Sequence, residues 1–338
     1  MHFAQSNRLL SVFRPQVIDS QPCNRCKPRA AQRILLLVKT AIALLVMALL
    51  LHHIHPEEIY RALLIARQNC IAAAFLLLFL NIYLQYARWS LLLHSQGQRD
   101  RRQALRSLLV GFTLGFITPG RIGEYGRGLF VDSVDRSSAV GLVVLDKLYG
   151  LLVITLLGAS AVISILSPWP AGWTLLLNAL LISAALCILV LLLHPQSWSR
   201  WSKGFAGLGR HSRWQGLSRA FRQFTAAQAR GVLLLSLLHA LVYLSQFVLL
   251  LRAFSDLAIF TAYRIAAATL FSKSMLPIAI GDLGIRESAA VFFCRNYNIE
   301  PAAAFNASVF LFLINLLVPA LTGLAILLQS RVGVTSNE

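Results

Sequence analysis

Arg121, Glu124 and Arg127 recur at every third position in "GFITPGRIGEYGRGLF" (115–130), directly after a Pro119–Gly120 break. On a helical segment, positions i, i+3 and i+6 share one face. Glu124 can then pair with either arginine and leave the other guanidinium largely uncompensated. A helix starting near Gly120 also aims its N-terminal amides at the break. Guanidinium plus free amides makes an anion site. Phosphate suits it, because a planar guanidinium grips two oxygens at once. The competing reading is an interfacial cluster of snorkelling side chains at a helix end.

A second break repeats the pattern. Lys273 precedes Pro277, and Asp282, Arg286 and Glu287 follow. Adjacent helical residues point about 100° apart, so Arg286 and Glu287 are not expected to pair with each other. Each then needs a partner from elsewhere, or a ligand. The alternative is a charge network that only locks helices together. Between the breaks, Asp146 and Lys147 stand inside the apolar stretch "GLVVLDKLYGLL". With Arg121, Glu124, Arg127, Lys273, Asp282, Arg286 and Glu287, these charges would cost on the order of 20 kcal/mol facing lipid at midplane depth. Folding margins of about 5–15 kcal/mol forbid that. They must face each other, water or a polar ligand. Arg88 and Trp89, at the end of an apolar run, read as an interfacial anchor. His52, His53, His55, His94 and His194 also fall at run ends and read as caps. Lys39 sits near a run start and can snorkel.

The elements that carry these residues are helices in a membrane. Of 338 residues, 57% are hydrophobic and only 13% charged, against roughly 25% charged in soluble proteins. Mean hydropathy is +0.67. Six long apolar runs, 34–51, 70–93, 139–166, 173–193, 231–251 and 305–329, approach or exceed the roughly 20 residues that cross a bilayer. They neither alternate in polarity nor shorten to barrel-strand length, so they read as transmembrane helices. Two further apolar regions, 104–130 and 264–294, are interrupted by proline and glycine. Each reads as a broken helix that enters the membrane and turns back. The fold expected is therefore all-α: a polytopic bundle of six long transmembrane helices plus two broken re-entrant hairpins.

Charge sets the orientation. The net charge is +18, concentrated in the tail 1–33, the stretch 99–106 and the loop 194–230. The positive-inside rule and anionic headgroups account for this without nucleic acid. All three segments fall on one side when both broken regions turn back, which puts both termini in the cytoplasm. The expected organisation is a disordered basic tail 1–33, one transmembrane domain 34–330 and a tail 331–338. Each half (34–166 and 173–329) then crosses an odd number of times, so the halves form an inverted repeat. Such repeats meet near the midplane around substrate sites. Of the five cysteines, Cys70, Cys187 and Cys294 read as buried thiols. Cys23 and Cys26 lack the second ligand pair a zinc site requires. No metal, cofactor or catalytic group is expected, since no metalloprotease, nucleophile-elbow or nucleotide-binding motif occurs. Movement of a substrate would then be passive or ion-coupled.

At these residues the chain resembles the transmembrane, flippase-like region of the lysylphosphatidylglycerol synthase family. Pro119, Gly123, Glu124 and Arg127 match its Pro-x-x-x-Gly-Glu-x-x-Arg break. Asp146 matches the acid of its Asp-Arg pair, with Lys147 replacing arginine. Pro277, Gly284, Arg286 and Glu287 match its second break, with Asp282 where glycine is common. "ARWSLLL" (87–93) is similar to the end of its second helix. The resemblance spans about 34–330. No stretch of the chain would form a soluble aminoacyl-transferase domain, so lysyl transfer is not expected. What is implied is an inner-membrane, flippase-like protein that binds and moves an anionic or aminoacylated lipid. Pro119, Arg121, Glu124, Arg127, Asp146, Lys147, Lys273, Pro277, Arg286 and Glu287 would form its headgroup site. Two other readings stay open. One is an accessory subunit of a lipid or glycan biosynthetic enzyme, docking through 194–230. The other is a transferase on a polyprenyl-phosphate lipid, with Asp146 or Glu124 as base. An oligomer is compatible with each.

Overall fold

A computed structural model describes residues 56–118, 120–131, 134–166, 170–194, 223–276 and 283–335. The first apolar run 34–51, the tail 1–33 with Cys23 and Cys26, most of the loop 194–230, and Pro119, Pro277 and Asp282 lie outside the described residues. The elements are α1 (Pro56–Leu64), α2 (Gln68–His94), α3 (Arg101–Ile117), a 3₁₀ segment (Ile122–Phe130), α4 (Arg136–Leu166), α5 (Ala171–Leu193), α6 (Ala226–Phe254), α7 (Ile259–Met275), α8 (Ile285–Arg295), α9 (Pro301–Phe312), a π segment (Leu313–Leu317) and α10 (Val318–Thr335). The described residues are helical, without strands. Five spans are long and apolar enough to cross a membrane: α2, α4, α5, α6, and α9 running through the π segment into α10. They answer to the five expected runs that the structure describes.

Local chemistry sets the element ends. Asp100 caps α3 by accepting from the amides of Arg102 (2.8 Å) and Gln103 (3.3 Å). Thr118, the residue before Pro119, is extended (φ −106°, ψ 139°) and stops α3. Gly120 and Arg121 then both take positive φ, 60° and 54°, and turn the chain back. A reciprocal cap starts α6: Thr225 Oγ1 accepts from the Gln228 amide at 3.2 Å, and Gln228 Oε1 accepts from the Thr225 amide at 2.9 Å.

Both broken regions are helical hairpins. The 3₁₀ segment returns along α3, and α8 packs on α7. The first closes tightly because small residues line it. A Cβ on Gly115 would lie 2.5 Å from Glu124 Cγ, and one on Gly123 would lie 2.1 Å from the Leu114 carbonyl oxygen.

The packing repeats. Exchanging α2 with α6, α3 with α7, the 3₁₀ segment with α8, and α4 with α9–α10 maps one set of contacts onto the other. In particular α7 lies on α4, as α3 lies on α10, and α2 packs against α6 between the halves. At the two equivalent crossings a glycine meets backbone. A Cβ on Gly158 would lie 2.6 Å from the Ala267 carbonyl oxygen, and one on Gly323 would lie 2.0 Å from that of Leu109. Leu109 and Ala267 are 158 residues apart in sequence, as are Pro119 and Pro277.

The core is two apolar groups, one around Phe247, Ile265 and Phe293, the other around Trp89, Leu142 and Tyr149. Outward faces carry exposed leucine, isoleucine and phenylalanine, as lipid contact requires. The extreme case is α5, whose one buried residue is Leu192; the Leu192 carbonyl accepts from Tyr149 Oη at 2.8 Å. Cys187 lies on this helix and is exposed, contrary to the buried thiol expected. The sequence placed it in an apolar run but could not say that the run faces outward. Cys294 is buried and Cys70 half-buried.

Candidate functional site

The site is built around two carboxylates. Asp146 on α4 is gripped from both sides: Oδ1 accepts from Arg88 Nε on α2, and Oδ2 accepts from Arg127 Nη2 on the 3₁₀ segment at 2.6 Å. Glu124 pairs with Arg121 through Oε1 and with Lys147 through Oε2. All four carboxylate oxygens therefore face a cation. Behind them, Arg127 stacks 4.1 Å over the Trp89 ring, and Trp89 Nε1 donates to Ser107 Oγ at 2.9 Å.

Three expectations change at this cluster. Arg88 and Trp89 do not anchor an interface: both are buried, because the end of α2 is covered by α3 and α4. Neither arginine of the break is left without a carboxylate: Arg121 keeps Glu124, and Arg127 takes Asp146 from α4. The amides expected at a helix start are also used locally. Thr118 Oγ1 takes the Gly123 amide at 2.6 Å, and the Arg121 carbonyl takes that of Glu124 at 3.1 Å. The segment is 3₁₀ rather than α. With three residues per turn its i, i+3 side chains eclipse, which stacks Glu124 above Arg127.

Beside this cluster lies a cavity of about 390 Å³. Arg88, Arg121, Asp146, Lys147 and Lys273 line its charged side. Side-chain exposure shows which of the cluster reach it most: Lys147 keeps 40% and Arg121 22%, while Arg88, Glu124, Arg127 and Asp146 keep 7% or less. Lys273 arrives from α7, with its ammonium 5.9 Å from the Tyr243 ring. Counting the residues directly behind the wall, five cations (Arg88, Arg121, Arg127, Lys147, Lys273) meet two carboxylates (Glu124, Asp146).

The rest of the wall mixes apolar residues, such as Phe112, Leu148, Leu151 and Ile154, with neutral polar ones. Gln85 Nε2 donates to Asn81 Oδ1 at 2.7 Å, and Asn81 Nδ2 donates to Gln246 Oε1 at 2.8 Å. Gln246 Nε2 ends this chain on the Ala74 carbonyl at 3.0 Å. His239 Nε2 lies 3.2 Å from Asn81 Oδ1, and its ring stacks on Tyr243. Ser236 Oγ takes a 3.3 Å bond from Arg88 Nη1. Asn315 completes the wall from the π segment. Sequence reasoning missed all of these. Their only signal was a single amide or imidazole inside an apolar run.

The second break is separate. Arg286 Nη2 donates to Glu287 Oε1 at 2.5 Å, against the expectation that neighbours on a helix do not pair. The long guanidinium arm curls back, and Ser308 holds both partners, accepting from Arg286 Nε at 2.8 Å and donating to Glu287 Oε1 at 3.1 Å. Glu287 Oε2 also caps α8 through the Gly284 amide at 2.7 Å, where Gly284 takes φ 88°. Neither Arg286 nor Glu287 lines the cavity. Of the second-half candidates that are described, the cavity gathers Lys273; Pro277 lies outside the described residues, as does Pro119. No group of three or more metal-ligating side chains occurs among the described residues.

Five helices long and apolar enough to cross a membrane, packed around an open cavity lined by Arg88, Arg121, Lys147 and Lys273, define a multi-pass membrane protein. The chain belongs to the family described as the lysylphosphatidylglycerol synthase TM region, whose model matches residues 36–323. That membership gives it a membrane-lipid-related function. No curated protein matches the chain at a significant level.

Proposed function

We propose that this protein is an inner-membrane, flippase-like protein that takes an anionic lipid headgroup into the cavity beside Asp146. Both termini would be cytoplasmic, and the acyl chains would remain in the bilayer. One observation carries the reading: the guanidinium and ammonium side chains of Arg88, Arg121, Lys147 and Lys273, from four separate elements or turns, line one cavity. A phosphate in the cavity would accept from several of these N–H donors at once, in charge-assisted bonds stronger than neutral ones. Arg121 and Lys147 are the best placed to give up part of their hold on Glu124, because they keep the most exposure. Arg88, Arg127 and Asp146 form the rigid floor. The family match supports a lipid as the source of that phosphate.

The reading of Asp146 or Glu124 as a general base for a transferase is weaker. A base must present a lone pair to its substrate, and each of these four oxygens already faces a cation. The test is lipid movement between leaflets in proteoliposomes. Arg121→Gln combined with Lys273→Met should slow the movement of an anionic lipid at least tenfold while melting stays close to wild type. Equal rates for wild type and the double variant would refute the proposal.

A further inference from the structure

Asn315 stands out on the cavity wall. It is 9% exposed, and neither Nδ2 nor Oδ1 has a hydrogen-bond partner among the described residues. The other amides of the wall are occupied: Gln85 donates to Asn81, which donates in turn to Gln246 behind the wall. Buried amides in native proteins almost always find partners, and an exception calls for a reason. The backbone offers one. Asn315 is the middle residue of the π segment Leu313–Leu317, set between α9 and α10. A π turn inserts one residue into a helix and rotates its side chains relative to the α-helical phase, and such turns recur at functional sites. Here the rotated residue is a cavity-lining asparagine.

An amide side chain donates and accepts at once. A bare phosphate oxygen accepts only, so it would satisfy Nδ2 and leave Oδ1 unmet. A hydroxyl satisfies either atom, and a vicinal pair satisfies both. We infer that Asn315 is a specificity-determining residue that reads hydroxyl groups on the headgroup whose phosphate sits among Arg121, Lys147 and Lys273. This rests on the reading of the cavity as a headgroup site and narrows it: the ligand is an anionic headgroup bearing hydroxyls, a polyol or sugar phosphate, rather than a bare phosphomonoester.

The experiment measures binding to the full-length protein in detergent by titration calorimetry. The probes are short-chain phosphatidylglycerol and phosphatidylinositol against short-chain phosphatidic acid, with glycerol 1-phosphate and inorganic phosphate as soluble arms. The wild type should prefer the hydroxylated lipids about 5- to 30-fold, the range of one or two neutral hydrogen bonds. Asn315→Leu should abolish that preference, bringing the hydroxylated lipids down to the affinity of phosphatidic acid. Without lipid, its melting temperature should equal or exceed wild type, since a buried amide without partners is removed. Asn315→Asp should weaken all anionic lipids by like-charge repulsion. Equal weakening of every lipid by Asn315→Leu, a lowered melting temperature, or an intact preference would overturn the assignment. If hydroxylated lipids and phosphatidic acid bind alike and Arg121→Gln weakens both, Asn315 alone is misassigned. If no anionic lipid binds the wild type, the headgroup reading falls first. If glycerol 1-phosphate binds as tightly as the lipids and Asn315→Leu weakens it, the role of Asn315 stands and the ligand is a soluble polyol phosphate.

Discussion

Removing Asp146 should damage the protein, and removing one of its arginines as well should partly repair it. In wild type the Asp146 carboxylate is shared between Arg88 and Arg127, all three side chains being 7% exposed or less. At that depth salt and water screen little. Asp146→Leu leaves two buried guanidiniums facing each other across an apolar side chain. Breaking a buried pair in this way costs about 3–5 kcal/mol. The burden is unequal. Arg127 keeps the face of Trp89 at 4.1 Å, a contact worth up to about 2 kcal/mol when desolvated. Arg88 keeps one 3.3 Å bond to Ser236. Arg88→Leu on the Asp146→Leu background removes the worse-placed charge and the repulsion together. The double variant should therefore be about 1–2 kcal/mol more stable than Asp146→Leu alone. The assay is thermal melting of the purified protein in one detergent, with the single variants as references. Asp146→Leu should melt on the order of 5–10 °C below wild type. A double variant that melts at or below Asp146→Leu would refute the account of the cluster as a charge-sharing hub.

Two further predictions use other features. Gly158→Val and Gly323→Val should each destabilise by about 1–3 kcal/mol or more, because the new Cβ meets a backbone carbonyl at 2.6 and 2.0 Å; similar losses in melting temperature would support equivalent crossings, and a neutral Gly323→Val would contradict them. In a chain with Cys23, Cys26 and Cys187 replaced, a membrane-permeant maleimide should label Cys70 in the folded protein and Cys294 only after denaturation, following their half-buried and buried settings; mass spectrometry of the labelled peptides gives the order.

Charge inside an apolar run was the strongest signal in the sequence, and it led to Glu124, Arg127, Asp146 and Lys147. The three-residue spacing of Glu124 and Arg127, and the intolerance of all four for lipid, are properties of the chain itself. Arg88 was misread because it lies near the end of a run, where snorkelling is the ordinary fate of arginine; only the covering of α2 by α3 and α4 buries it. Asn81, Gln85, His239 and Asn315 gave no warning. A neutral amide costs too little in hydropathy to mark a run, and its role depends on which helix packs opposite. Arg286 and Glu287 show a different limit. Backbone geometry sets their Cβ directions apart, but the length of the arginine arm and the presence of Ser308 decide where the charges meet.

The sorting of charge between the halves has a mechanical consequence. Glu124 and Asp146 draw their cations from α2, α4 and the first break, and Glu287 draws its own from Arg286 beside it. Each half thus keeps its described buried ion pairs to itself, and the described pair that crosses between the halves, Arg67–Asp256, is exposed. What stitches them together in the interior is uncharged on at least one side: Asn81 to Gln246, His239 to Asn81, Arg88 to Ser236, and Thr113 Oγ1 to the Ala320 carbonyl at 2.7 Å. Sliding one half along the other would exchange a seam of amides and hydroxyls while leaving every buried ionic clasp shut.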